Sequence, residues 1–411
     1  MNASLPNISI KSTFSALRHR NFRLWFIGQL ISLVGSWMQN TAQGYLIYTL
    51  TGSPAYLGYV SFFSGIPTWI FTLYGGVIAD RMPRRTLMLI TQSVMMVLAF
   101  VLAGLVYFNW IQPWMIIILA FLLGIANAFD GPTRQAFVVE MVDREDLTNA
   151  IAMNSSMFNA ALVVGPAAAG ITYAAFGPAW CFTINGISFI AVIIALFMMK
   201  LAPFKPVVRK ESTLSLLKEG LGYTLSYKVI RTLILNIGMV SLFGMGILTL
   251  IPAWAVEVLH GDVKTNGLLL SARGIGALVG ALMVAALSAY KMKGRLWLYG
   301  SFIMPILMMV FAVVKWLPLS LLTMVFLGLG FMLIGNVSNA LVQTLVPDEL
   351  RGRVMGIYIL LFFGLSPIGS LILGIMADHL TEPITVLISG VVLLLITTLI
   401  RLTAPEIQRL D

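Results

Sequence analysis

The chain has 411 residues, of which 59% are hydrophobic and only 10% charged, against about 25% charged in an ordinary soluble protein. So few charges cannot cover a soluble globule of this size, which excludes a water-soluble enzyme and leaves a polytopic all-α membrane protein. Lys and Arg number 26 against 16 Asp and Glu; because apolar stretches separate the charges everywhere, the excess reads as basic inner loops, with no nucleic-acid partner.

In chain order, Met1 to Asn21 is polar and the first apolar run is already a full span, so no cleavable signal peptide is expected. A crossing helix needs about 20 mostly apolar residues. Six runs qualify first: 22–49, 54–79, 86–109, 113–139, 148–176 and 179–200. Six more follow: 230–257, 265–289, 295–315, 318–344, 352–377 and 383–401. The longer runs imply tilt or protruding ends. Between the sets lies the one long polar segment, 201–229. There Leu214, Leu217, Leu221 and Leu225 recur at helical spacing among Lys218, Glu219 and Lys228. The pattern predicts an amphipathic helix on the inner membrane surface, with an unstructured linker as the alternative. The division is 1–200, linker 201–229, and 230–411.

Placed on this ladder, 22 of the 26 cations fall on one side, and only Lys264 and Lys315 on the other. Arg134 and Arg273 lie within helices. The split predicts a multi-pass protein of the cell (inner) membrane with both termini in the cytoplasm. Trp110, Trp114, Trp180, Trp254 and Trp316 fall at span ends and read as interfacial anchors. Glu257 and Asp378 read as wet charges at outer helix ends. The lone cysteine, Cys181, allows no disulfide, and no metal or cofactor is expected.

The halves repeat. At an offset of 204, Gly124, Gly131, Gly165, Gly170 and Gly186 land on Gly328, Gly335, Gly369, Gly374 and Gly390. At an offset of 209, Gly52, Gly58 and Gly65 land on Gly261, Gly267 and Gly274. Helix order is preserved and matching helices run in the same direction. Two pseudo-symmetric six-helix bundles follow, a transporter architecture with its substrate site between the halves.

Gly76-Val77-Ile78-Ala79-Asp80-Arg81-Met82-Pro83-Arg84-Arg85 closes the second span. It resembles the signature loop of the major facilitator superfamily, Gly-x-x-x-Asp-Arg-x-Gly-Arg-Arg, with Pro83 in place of Gly. In that family the loop latches the halves together in the outward-facing state, so the resemblance implies a latch of Gly76, Asp80, Arg81, Arg84 and Arg85 with Glu140. Gly165-Pro166-Ala167-Ala168-Ala169-Gly170 resembles the exporters' Gly-Pro-x-x-Gly-Gly segment. It reads equally as close helix packing by Gly165, Pro166 and Gly170.

Asn21-Phe22-Arg23-Leu24-Trp25, Asp130-Gly131-Pro132-Thr133-Arg134 and Val346-Pro347-Asp348-Glu349-Leu350-Arg351-Gly352-Arg353 extend the likeness over nearly the whole chain. The first two look like the bacterial drug:proton antiporter branch with macrolide-efflux proteins and the enterobactin exporter, and the third resembles the general superfamily loop between helices ten and eleven. The resemblance implies the twelve-helix major facilitator fold, a monomer, and proton-driven export of a drug-, macrolide- or siderophore-like small molecule. One family feature is missing: Ala120 stands where many of these antiporters have Arg.

Charge within the bilayer is costly and marks function by default. Asp130 and Arg134 share a helix face at i,i+4. Asp130 is either a proton carrier or a structural partner of Arg134. Arg273 lies about 15 Å into its helix. It would bind an anionic substrate, meet Asp130 across the halves, or be satisfied by carbonyls and polar side chains. In the family, helices one, four, seven and ten line the cavity, which favours Gln39, Gln43, Asn127, Asn236 and Asn336 as lining residues. Each is equally an interhelical hydrogen bond. No Gly-x-x-x-x-Gly-Lys-Ser/Thr or His-Glu-x-x-His run exists, which excludes an ATP-driven pump within this chain and argues against a membrane enzyme. The expected function is a secondary exporter of amphipathic molecules by proton antiport. A lipid flippase or scramblase and an importer are the alternatives.

Overall fold

The computed structural model describes residues 14–201, 213–287 and 292–410, which fold as helices with no strand among them. The first six long helices are α1 Arg20–Thr51, α2 Pro54–Arg81, α3 Arg84–Tyr107, α4 Pro113–Phe137, α5 Leu147–Phe176 and α6 Pro178–Met198. After a linker helix, Thr213–Ser226, come α7 Lys228–Val258, α8 Val263–Leu287, α9 Lys293–Val313, α10 Leu317–Leu345, α11 Asp348–Leu380 and α12 Glu382–Thr403. Proline sets the first turn of α2, α4, α6, α10 and α12, where its missing N–H costs no helical bond. Gly52 ends α1 in the left-handed conformation, at φ 64°, and its N–H bonds the Tyr48 carbonyl.

Among the described residues, ten helices, α3 to α12, are long and apolar enough to cross a membrane. Helix α1 is longer than most, at 32 residues, but Gln29, Ser32, Gln39, Thr41 and Gln43 interrupt its apolar run. All five are buried. Its polarity therefore faces the protein interior, while apolar side chains such as Ile27 and Ile31 are exposed.

The packing repeats as the glycine spacing predicts. Helix α2 lies along α4, and α8 lies along α10. A Cβ on Gly124 would run into the Ser64 carbonyl of α2; one on Gly328 would run into the Arg273 carbonyl of α8. Two seams join the first six helices to the last six: α2 on α11, and α5 on α8. In the first, Gly374 meets Gly58; in the second, Gly267 meets Gly170 and the Pro166 carbonyl. These contacts lie toward the far face, the end that carries Gly52, Gly177 and Leu380. At the near face, every ion pair among the described residues stays within one side or involves the linker.

Three expectations change in the structure. Trp254 is fully buried, stacked on Phe311 with centroids 4.4 Å apart, and so is no interfacial anchor. Trp110, Trp114, Trp180 and Trp316 are exposed. The span at 230–257 is not one regular helix: Val240–Met245 and Trp254–Val258 are wide π turns, with a tight 3-10 stretch, Gly246–Leu250, between them. In the linker, residues 202–212 and the side chains of Leu214 and Leu217 lie outside the described residues. Leu221 and Leu225 are exposed, and Glu219 pairs with Arg353 of α11.

Candidate functional site

A cavity of about 420 Å³ opens between the two sides, walled by α1, α2, α4 and α5 with α7, α8 and α11. Trp37, Leu162, Leu270 and Phe363 make it largely apolar. Gln43, Asn40 and Ser366 add polar points. Arg273 is the one charged side chain among the described lining residues. Its Nε is buried and has no hydrogen-bond partner.

A hydroxyl chain crosses the same wall. Thr249 Oγ1 of α7 donates to Ser370 Oγ of α11 at 2.8 Å. Ser61 of α2, 3.2 Å away, is then the donor to Thr249. Sequence reasoning missed these three, since isolated Ser and Thr in apolar helices usually bond their own backbone.

A smaller cavity of about 150 Å³ lies beside the first and shares Trp37 and Asn40 with it. Asp130 lines it and is buried. Its Oδ1 accepts from Thr91 Oγ1 and Gln92 Nε2, each at 2.9 Å. Arg134 Nε stands 3.9 Å from its Oδ2. Helix α4 runs on past Pro132, so the pair keeps its i,i+4 geometry. No ion pair joins Asp130 to Arg273; both of its oxygens are engaged on its own side.

The polar set divides. Gln43 lines the central cavity and Asn127 the smaller one. Gln39 is buried against α6, where its Oε1 accepts from Asn185 at 2.7 Å. Asn236 is buried with both side-chain polar atoms unpartnered, away from either cavity. Asn336 Nδ2 contacts Met332 Sδ of its own helix. Gly165 packs on Trp37 and Val34 of α1, whereas Gly170 packs on Lys264 of α8. One motif thus serves two neighbours, one within a side and one across the seam, and Pro166 reaches the cavity wall.

In the signature loop, Gly76 and the side chain of Asp80 lie outside the described residues. Arg81 ends α2 and is exposed. Arg84 Nη1 bonds Glu140 Oε1 at 2.6 Å and the Ala136 carbonyl at 3.2 Å. Arg85 Nη2 bonds the Phe197 carbonyl at 3.0 Å. Pro83 fits without strain because its φ is −55°, the value its ring imposes. The two-residue connection needs no left-handed glycine.

At the far face, Tyr48 donates to Glu257 Oε1 at 2.8 Å, joining α1 to α7. Ser53 Oγ bonds Asp378 of α11. Glu257 and Asp378 are exposed but bridge the two sides, and Glu382 is buried beside them. One charge-assisted bond of this kind is worth about 1 kcal/mol at a wet site. Tyr48→Phe is expected to raise the population open at the far face about five-fold. Spin-label distances between positions 109 and 315 measure it; an unchanged distance distribution would remove the bond from the gate.

A helical molecule with mirrored seams around one central cavity is the build of a membrane transporter. The sequence profile of the transmembrane secretion effector family matches residues 11–411, and the chain belongs to that family, within the major facilitator superfamily. It is 26% identical to the staphyloferrin A transporter of Staphylococcus aureus, over 87% of this chain and 89% of the relative. It is 27% identical to the multidrug efflux pump Tap of Mycolicibacterium fortuitum, over 89% and 91%. It is also 27% identical to the enterobactin exporter EntS of Citrobacter koseri, over 98% and 95%. Solved structures share the fold: the D-xylose–proton symporter at TM-score 0.72, with 15% identity over 93% of this chain and 98% of that one. The nucleoside transporter NupG superposes at 0.68, with 16% identity over 93% and 98%. The chain is a transporter and not an enzyme.

Proposed function

We infer that this protein is a twelve-span secondary transporter that exports amphipathic small molecules by proton antiport, with residues 1–200 and 230–411 as its two rocking halves. The observation that carries the inference is the pair of glycine seams. Gly58 on Gly374 and Gly170 on Gly267 close the far end over a central cavity. Such a seam separates when one half rocks against the other, which is alternating access. The conformation fits the inward-facing state, with termini and linker in the cytoplasm, as the distribution of cations favours. The export direction is supported by efflux relatives: a multidrug pump and the enterobactin exporter.

Asp130 is the proposed proton carrier. It is a buried carboxylate in a cavity that adjoins the central one, with Arg134 pairing loosely at 3.9 Å. Gln43, Asn127 and Arg273 are the proposed cargo-facing residues. Arg84 and Glu140, with Asp80, Arg81 and Arg85, form the proposed latch for the opposite state. A monomer suffices, because both halves belong to one chain.

Proteoliposomes with an imposed pH gradient test the proposal on a macrolide, a siderophore, a cationic dye and a lysolipid. Gradient-driven accumulation of at least one soluble compound is expected. Indifference to the gradient would remove antiport. Lipid movement without solute movement would make the protein a flippase, and inward movement alone would make it an importer.

A further inference from the structure

The geometry points to an oxyanion-binding site at Arg273, so that the cargo of the central cavity carries a carboxylate or another oxyanion beside its apolar body. The inference rests on the transport reading above and specifies its substrate class.

Packing does not call for a charge at this position. The repeat places Arg273 of α8 opposite Ser64 of α2, at the same offset of 209 that aligns the glycines around it. The two backbones do the same work. Gly124 presses on the carbonyl of Ser64, and Gly328 on that of Arg273. On one side a serine completes that contact; on the other the chain carries a guanidinium. The added group therefore serves something other than the α8–α10 contact.

The protein leaves it unsatisfied. Among the described residues Arg273 makes no hydrogen bond or ion pair, and its Nε is buried without a partner. Cations at membrane depth are normally paired with an acid or with carbonyls. No acid is among the described lining residues of this cavity. The nearest candidate by position, Asp130, is held by Thr91, Gln92 and Arg134 on its own side. A planar guanidinium facing a cavity is suited to bidentate capture of an oxyanion. The remaining wall, with Trp37, Leu162, Leu270 and Phe363, takes apolar surface. A half-buried guanidinium without a partner among the described residues, set in a largely apolar wall, selects an amphipathic anion over a neutral or cationic amphipath of the same shape.

The oxyanion has two possible sources, a soluble organic acid or a phospholipid headgroup. The test uses the full chain in phosphatidylcholine nanodiscs, with pyrenebutyrate and its methyl ester as probes. Binding is read by tryptophan-to-pyrene energy transfer above the signal of empty nanodiscs. Wild type is expected to bind the acid about ten-fold more tightly than the ester, the scale of one good charge-assisted contact. Arg273→Gln is expected to abolish that preference with the ester's affinity unchanged, which also shows that the cavity has kept its shape. Arg273→Lys is expected to restore part of it.

Failure of wild type to bind the acid, equal affinity for acid and ester, or a preference that survives Arg273→Gln would overturn the site. Replacing half of the phosphatidylcholine with phosphatidylglycerol separates the sources. Competition seen in wild type but not in Arg273→Gln assigns the site to a headgroup; unchanged binding assigns it to a soluble cargo. Proteoliposome transport keeps the two inferences apart. Absence of any transport sinks the transporter reading, whereas transport that ignores both cargo charge and Arg273→Gln sinks only the anion site.

Discussion

Gly267→Val is expected to cut transport by about 100-fold while the protein stays folded. A Cβ at Gly267 would run into the Pro166 carbonyl and lie 3.3 Å from Gly170 Cα. Valine adds two methyl groups to that collision, and backbone on both sides leaves them nowhere to go. The contact belongs to the α5–α8 seam and not to the interior of either side. The strain is relieved by parting the seam rather than by unfolding. A bias of about 3 kcal/mol against the closed far face changes its population by about two orders of magnitude. Gly374→Val in the mirror seam, against Gly58 and the Pro54 carbonyl, is expected to match it.

The control is Gly328→Val. There the Cβ strikes the Arg273 carbonyl inside one side, and loss of folded protein is expected instead. Thermal melts separate the two classes. A cysteine introduced at Ser61 then reports the state, because the native Cys181 is buried and stays silent. It should react from the far face in Gly267→Val and not in the parent. Normal transport by Gly267→Val would show that the seam is not a gate.

Asp130→Ala is expected to lose about 3 kcal/mol of stability. Deletion leaves the Thr91 hydroxyl and the Gln92 amide without their acceptor in the protein interior, at about 1–3 kcal/mol for a stranded buried group, and removes the anion that faces the partly exposed Arg134. Asp130→Asn keeps an acceptor for Thr91 and Gln92 and is expected to cost about 1 kcal/mol. The two variants should differ more in transport. If Asp130 carries the proton, Asp130→Asn exchanges cargo across the membrane yet loses about ten-fold or more of its gradient-driven accumulation. Full coupling in Asp130→Asn would leave the residue as a structural partner of Arg134. Melting curves, counterflow and gradient-driven uptake on the same preparations distinguish the outcomes.

The helices were legible in the sequence because a spanning run must be about 20 residues long and apolar, whatever packs around it. The repeat was legible because glycine sits where backbones touch, and both seams use it. Helix face was legible too, but not what that face meets. Gln39 and Gln43 share one face of α1 at i,i+4. The first lies under α6 and bonds Asn185; the second opens on the cavity. Only depth along the helix separates them, and periodicity carries no depth. Asn236 and Trp254 were misplaced for a related reason. Their rank along α7 suggested cavity and interface, but Trp254 stacks on Phe311 of α9 and the stretch that carries Asn236 packs on α10 and α11, far away in sequence.

The irregular turns of α7 bear on how the two sides can move. A residue passing from α to 3-10 geometry lengthens a helix by about 0.5 Å. The five residues Gly246–Leu250 already hold the tight form between two wide turns. One end of this stretch is tied to α11 through Ser241 and the Phe362 carbonyl, and the other to α1 through Glu257 and Tyr48. Exchange between tight and wide turns changes the distance between those ties while most backbone bonds are remade one residue along. Among the described helices α7 alone joins wide and tight turns, so its span between those two ties is set by which turns it holds.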